Sequence, residues 1–305
     1  MKKAFSLIEL SVVLVIISIL ITGTLSISIS AVNNARYKST KDKIDSIYAA
    51  LGNYVLLNGK LPCPAPLNIA EGSANYAKID ATSTDGVCTE PAGVIAISTN
   101  LAYGSIPSVD LGLLSDNAAD SFSSKFSYVV DIRLTNSATF DDELQNNGSG
   151  YVPLITVLEN PAATSILADF LIISHGANKY GAYGARSSTA IASNGNADED
   201  DNDSTSLNAN FVARSDNDDE FDDIVMAKKI TDLLQDFDML DKIKCPAESL
   251  SLYGATMSWS EADYGQEAIS TTSCPIGFQS GPSIATRKCL AYGQWGSIIT
   301  PCIQD

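Results

Sequence analysis

Three groups of side chains in this sequence have types and spacing that could do chemistry. Glu9 is the only charged residue between Phe5 and Ile29. A carboxylate set into an apolar helix is costly to desolvate, so it takes a specific partner or a task. The second group is the acid-rich stretch 194–223, which reads Asn194-Gly195-Asn196-Ala197-Asp198-Glu199-Asp200-Asp201-Asn202-Asp203 and, further on, Asp216-Asn217-Asp218-Asp219-Glu220-Phe221-Asp222-Asp223. Carboxylates and Asn carbonyls are hard oxygen donors of the kind Ca²⁺ prefers, and Asp216, Asp218, Asp222 and Asp223 are the candidate ligands. The EF-hand order fails, since the loop lacks its glycine and its closing glutamate, and a solvated acidic loop is the competing reading. The third group is six cysteines: Cys63, Cys88, Cys245, Cys274, Cys289 and Cys302. In an exported chain these read as disulfides formed in an oxidising compartment.

Other chemistries find little support. His175 is the only histidine, placed in the turn Ser174-His175-Gly176-Ala177-Asn178 after an apolar run. A hydrogen-bonded structural role fits it better than a catalytic one, because no nucleophile–base–orienter set can be assembled around it. There is no glycine-rich phosphate loop and no paired zinc motif, so an enzyme is not expected. The formal net charge of −17 repels nucleic acid. A hydrophobic fraction of 45% and a charged fraction of 18% suit a globular body rather than a disordered one.

The elements that must carry these residues follow from periodicity. Lys2 and Lys3 precede the apolar run and favour a cytoplasmic N-terminus. A helix from Phe5 to Ile29 would rise about 37 Å, enough for a hydrocarbon core of about 30 Å. Beyond it, Ile44, Ile47, Tyr48, Leu51, Tyr54 and Val55 keep helical spacing on one face, a stripe that predicts packing against a sheet. Asn58-Gly59 is a helix stop, and Leu61 to Pro66 is rigid and extended. Cys63 and Cys88 bracket a polar loop far from the other four cysteines and are expected to pair. Residues 126–132, 151–158 and 170–174 read as strands, Ala162 to Ala168 as a short helix and 229–241 as another. The whole is an α+β plan.

The segment Lys2-Lys3-Ala4-Phe5-Ser6-Leu7-Ile8-Glu9, with its apolar helix, resembles the class III signal of type IV prepilins and type II secretion pseudopilins. The resemblance implies cleavage between Ala4 and Phe5 and methylation of the new N-terminus, although Ala4 stands where most members carry glycine. It implies that Glu9 pairs with the Phe5 amine of a neighbouring subunit. It also implies a pilin-like body, in which a long N-terminal helix packs on an antiparallel β-sheet. The implied partners are homologous subunits, a prepilin peptidase/N-methyltransferase and an inner-membrane assembly platform. The implied location is the bacterial inner membrane, single-pass with a periplasmic body, and the periplasm or exterior once assembled. Short blocks at Ile106-Pro107, Ser174 to Asn178 and Phe221 to Val225 are similar in order to pseudopilin blocks. Some pseudopilins hold calcium in the corresponding loop, which raises the case for Ca²⁺ here.

From residue 242 the composition changes. Cys274-Pro275-Ile276-Gly277, Arg287-Lys288-Cys289 and Gly293-Gln294-Trp295-Gly296 followed by Cys302 resemble sushi or hormone-receptor-motif modules. That resemblance implies a small disulfide-rich β module with a buried Trp, paired Cys245–Cys289 and Cys274–Cys302, and able to bind a surface ligand. The expected organisation is a leader at 1–4, a transmembrane and filament-core helix at 5–32, a body at 33–241 and the module at 242–305. Two functions follow: a structural, minor pilin or pseudopilin subunit, or a pilus-borne or membrane-anchored adhesin acting through the module.

Overall fold

The computed structural model describes residues 7–88, 92–145, 152–159, 165–193, 195–203, 208–214, 221–240, 243–252, 254–274, 278–279, 285–290, 293–300 and 302–304, with the side chains of 20–30, 142, 143, 145, 278, 279, 300, 303 and 304 left out. It is an α+β arrangement with a long N-terminal helix, antiparallel sheets and three disulfides. Helix α1, Leu7–Asn58, runs unbroken for 52 residues, about 78 Å at 1.5 Å per residue. Gly59 ends it at φ +65°, a left-handed stop that glycine adopts without strain.

The body follows with strands β1 (Ile95–Ser98), β2 (Leu101–Ser105) and β3 (Ser127–Asp131), helix α2 (Phe140–Gln145), strands β4 (Ile155–Leu158), β5 (Ser165–Ala168) and β6 (Phe170–Ser174), helix α3 (Ala197–Asn202), strands β7 (Asn210–Val212) and β8 (Ile224–Lys228), and helix α4 (Ile230–Asp236). The central sheet has the order β1-β2-β3-β6-β8 and is antiparallel throughout. Ala102, Tyr128, Val130, Phe170 and Ile172 face α1, where Ile44, Ile47, Leu51 and Val55 close one core with α4. Leu101, Tyr103, Val129, Leu171 and Ile173 point the other way, onto Ile155, Val157, Ala168 and Phe211 of a second sheet, β5-β4-β7. The alternation of side chains along a strand thus feeds two cores from one sheet, and every residue of β2, β3 and β6 is buried.

Two expectations are corrected. Ser165–Ala168 is a strand and not the end of a helix; it pairs antiparallel with β4 from Ile155↔Ala168 to Leu158↔Ser165, so cross-strand bonding overrides a weak helical preference. The second sheet is also mixed, because β4 and β7 run parallel. Tyr151 and residues 161–164 lie outside the described residues.

The C-terminal part consists of short strands: β9 (Lys244–Cys245), β10 (Glu248–Leu252), β11 (Ala255–Trp259), β12 (Ala262–Asp263), β13 (Glu267–Ile269), β14 (Phe278–Gln279), β15 (Thr286–Cys289), β16 (Trp295–Thr300) and β17 (Ile303–Gln304). Met257, Trp259, Ala268, Ala285 and Cys302 form a small core of their own. Disulfides join Cys63 to Cys88, Cys245 to Cys289 and Cys274 to Cys302. Arg287 lies between the rings of Trp259 and Trp295, at 5.2 and 5.6 Å, and pairs with Glu248 at 2.5 Å.

Candidate functional site

Two places in the fold gather the residues singled out by type. The first is the start of α1. Glu9 sits exposed in the first helical turn, while Ala4 and Phe5 lie outside the described residues. Around Glu9, Leu7, Ile8, Leu10, Ile16 and Ile19 are each at least half exposed. An apolar surface of that extent calls for a bilayer or other helices to cover it. Further along the same helix, Ile44, Ile47, Leu51 and Val55 are buried in the body. Among the described residues no helix is long and apolar enough to cross a membrane; the side chains of 20–30, which continue the run, are not among them.

The second place is an acidic cluster between the turn after β6 and the start of β8. Asp222 and Asp223 are brought together with Glu199 of α3, one carboxylate oxygen from each lying within 4.8 Å of the others. All three are more than nine-tenths buried. Asn196 caps α3 through the amides of Asp198 and Glu199, which fixes the helix and aims Glu199 inward. Gly176, at φ +56°, makes the close approach possible: a Cβ there would stand 2.2 Å from Asp222 Oδ1. Burial raises the carboxyls of Glu199 and Asp222 and lifts Asp223 well above the usual range, with neighbouring carboxylates adding to it. Asp216 and Asp218 lie outside the described residues.

Glu199 was not singled out as a ligand in the sequence. Nothing distinguishes it from its acidic neighbours there except its place on the inward side of α3. His175 is fully buried, its Nε2 within 2.9 Å of Ser127 Oγ. Its Nδ1 lies 3.8 Å from Asp223 Oδ1, and burial holds the imidazole down at about 4.

The donor set suits the calcium that the pseudopilin resemblance implies. Three carboxylates within 4.8 Å can be spanned by an ion with Ca–O distances of about 2.3–2.6 Å. The ion would supply the positive charge that the cluster otherwise lacks.

Comparison with known proteins bears on the first place. Residues 1–25 match the prokaryotic N-terminal methylation motif. The matched span contains Ala4, Phe5 and Glu9 and supports a type IV pilin-like class III signal, with the prepilin processing and methylation that go with it. A motif of this type implies prepilin peptidase and pilin subunits as partners in general. No curated protein and no solved structure matches the chain.

Proposed function

We propose that the chain is a structural, minor subunit of a type IV pilus or a type II secretion-like filament. A leader of residues 1–4 is cut off, Phe5 becomes the methylated N-terminus, and the helix first anchors the subunit in the inner membrane. It then becomes part of the filament core, with the body outside the cytoplasm. One observation carries this reading. The methylation motif stands at the head of an unbroken helix whose first turns expose apolar side chains and whose last turns are embedded in the body.

The chemistry of Glu9 follows. Cleavage removes Lys2 and Lys3, which takes the formal charge from −17 to −19, and creates an ammonium at Phe5. A carboxylate leaving water for a packed helical core needs a cation of this kind. The pair would fix the axial register of adjacent helices. Glu9→Ala tests this: cleavage should persist while incorporation into filaments is lost, and wild-type incorporation of the variant would reject the pairing. No catalytic role belongs to this reading.

A second reading rests on the C-terminal strands, which carry their own core around Trp259 and two of the three disulfides. A groove there is lined by Pro246, Ala247, Glu248, Gln294 and Trp295. A sushi-like module of this kind would make the subunit an adhesin. Removal of residues 245–305 separates the two: filaments without attachment favour adhesion, and failed assembly favours a structural module.

A further inference from the structure

Away from the two places described above, one cleft in the body combines a cavity, a buried hydroxyl without a partner and local backbone strain. It measures about 610 Å³ and lies between Lys43 of α1, the segments 71–76 and 116–123, and the turn 184–187. Its walls are tied to one another, so the cavity is formed before anything enters it. Lys43 Nζ donates to the carbonyls of Asp116 and Ala119 at 3.1 and 2.7 Å. The Glu71 amide donates to the Ala185 carbonyl at 2.8 Å, and the Ala185 amide to the Ser123 carbonyl at 2.9 Å. Tyr76 lines the cleft and is only 5% exposed, and its hydroxyl is buried with no hydrogen-bond partner among the described residues. A buried phenol ordinarily finds one, and an orphan of this kind calls for an explanation. Ser123, also in the wall, and Ala77, next to Tyr76, hold φ at +68° and +58°. Residues with a Cβ occupy that region at a cost, and such residues gather at ligand sites.

The charges decide what kind of ligand fits. Glu71, Asp116 and Asp120 line the cleft together with Lys43 and Arg186. A cation entering it meets two like charges, and an anion meets three. A neutral ligand with several hydroxyls meets neither penalty, because each hydroxyl donates to a carboxylate and accepts from an ammonium, a guanidinium or the phenol. Arg186 and Glu71 pair at 3.0 Å, but their side chains are 86% and 41% exposed, so the pair exchanges readily for a ligand at the rim. We propose that this cleft binds a neutral sugar of one or two rings, held by the Tyr76 hydroxyl, Asp116 and Arg186. The volume is within the range of small-molecule sites. Recognition is thereby placed in the body and apart from the C-terminal groove, and it stands independently of the filament reading.

The test uses the full-length chain in a zwitterionic detergent that carries no sugar. Methyl glucoside, methyl galactoside, N-acetylglucosamine and maltose are the probes, N-acetyl-lysine amide and citrate the charged controls, and saturation-transfer NMR the readout. At least one sugar should receive saturation at millimolar concentration, and neither charged control should. Tyr76→Phe and Asp116→Asn should each weaken the sugar's binding about tenfold, the loss of one hydrogen bond to the ligand. Without sugar, Tyr76→Phe should melt at or above wild type, because the hydroxyl it removes has no partner in the fold. A lower Tm in that variant would mean that the hydroxyl serves the fold and would count against the proposal. Should Tyr76→Phe fail to fold, Asp116→Asn, at an exposed position, carries the same comparison. Saturation of none of the four sugars overturns the proposal, as do equal binding of a charged control and variants that bind sugar like wild type.

Discussion

Lys125 carries an ammonium into the body, and among the described residues no carboxylate pairs with it. The residue is fully buried; its Nζ donates to the carbonyls of Leu67 and Ser187 and lies 5.9 and 5.7 Å from the ring centres of Tyr76 and Tyr183. Carbonyl dipoles and aromatic faces replace water only in part, and burial lowers the amine from 10.5 to about 8. The unfolded chain therefore binds the proton through a window, about pH 8 to 10.5, in which the folded chain has released it, and Lys125 contributes stability that rises with pH there. Denaturant midpoints measured between pH 8 and 10 should rise less steeply in Lys125→Met than in wild type. Equal slopes would mean that the folded lysine keeps its proton. Nothing in the sequence marks this lysine, which reads as an ordinary strand-edge charge beside Phe126. The same holds for Glu199: composition shows where acids are dense, but not which of them the fold turns inward.

At the scale of elements, α1 is held to the body at a point where a side chain is missing. Gly52 faces Phe237, just past α4, and a Cβ at Gly52 would meet the ring at 2.2 Å. Phe237 in turn packs edge-on against Tyr48, whose hydroxyl donates to Asp236 at 2.7 Å. Alanine improves helix propensity by about 1 kcal/mol, but overpacking costs about 1–3 kcal/mol. Gly52→Ala should therefore destabilise the chain by about 1 kcal/mol, and Phe237→Ala should make the same glycine replacement stabilising; a double-mutant cycle by chemical denaturation reads the sign. Asp169 offers a cleaner case, as its Oδ2 accepts from the Ile230 amide at 2.7 Å and satisfies the first turn of α4. Asp169→Ala should cost about 1–2 kcal/mol in the same assay. The helical stripe from Ile44 to Val55 was legible because a 3.6-residue period survives in a one-sided element. Strand β2 was not, since Leu101 to Ser105 is buried on both faces and shows no alternation. The three-residue β7 was too short to announce itself, and with it went the parallel pairing to β4.

For the molecule as a whole, the chain is exposed and apolar at one end and stapled by disulfides at the other. Residues 254–259 and 285–289 share a core too small to rely on burial alone, and the Cys274–Cys302 bridge ties its ends. Replacing both cysteines by serine should cost about 2–5 kcal/mol within this part. Hydrogen exchange should then increase across residues 254–274 and stay unchanged in β2, β3 and β6; faster exchange in the central sheet would mean that the two cores unfold as one. At the other end, the methylation motif of residues 1–25 was legible because charge, apolar length and position in the chain suffice to recognise it.

We propose above all that the mature protein starts at a processed, methylated Phe5. Intact-mass and N-terminal fragment analysis of the chain, isolated from cells that contain a prepilin peptidase, tests it most directly. Loss of residues 1–4 and a methylated Phe5 is the expected result; a product that retains Met1 through Ala4 would overturn the proposed processing.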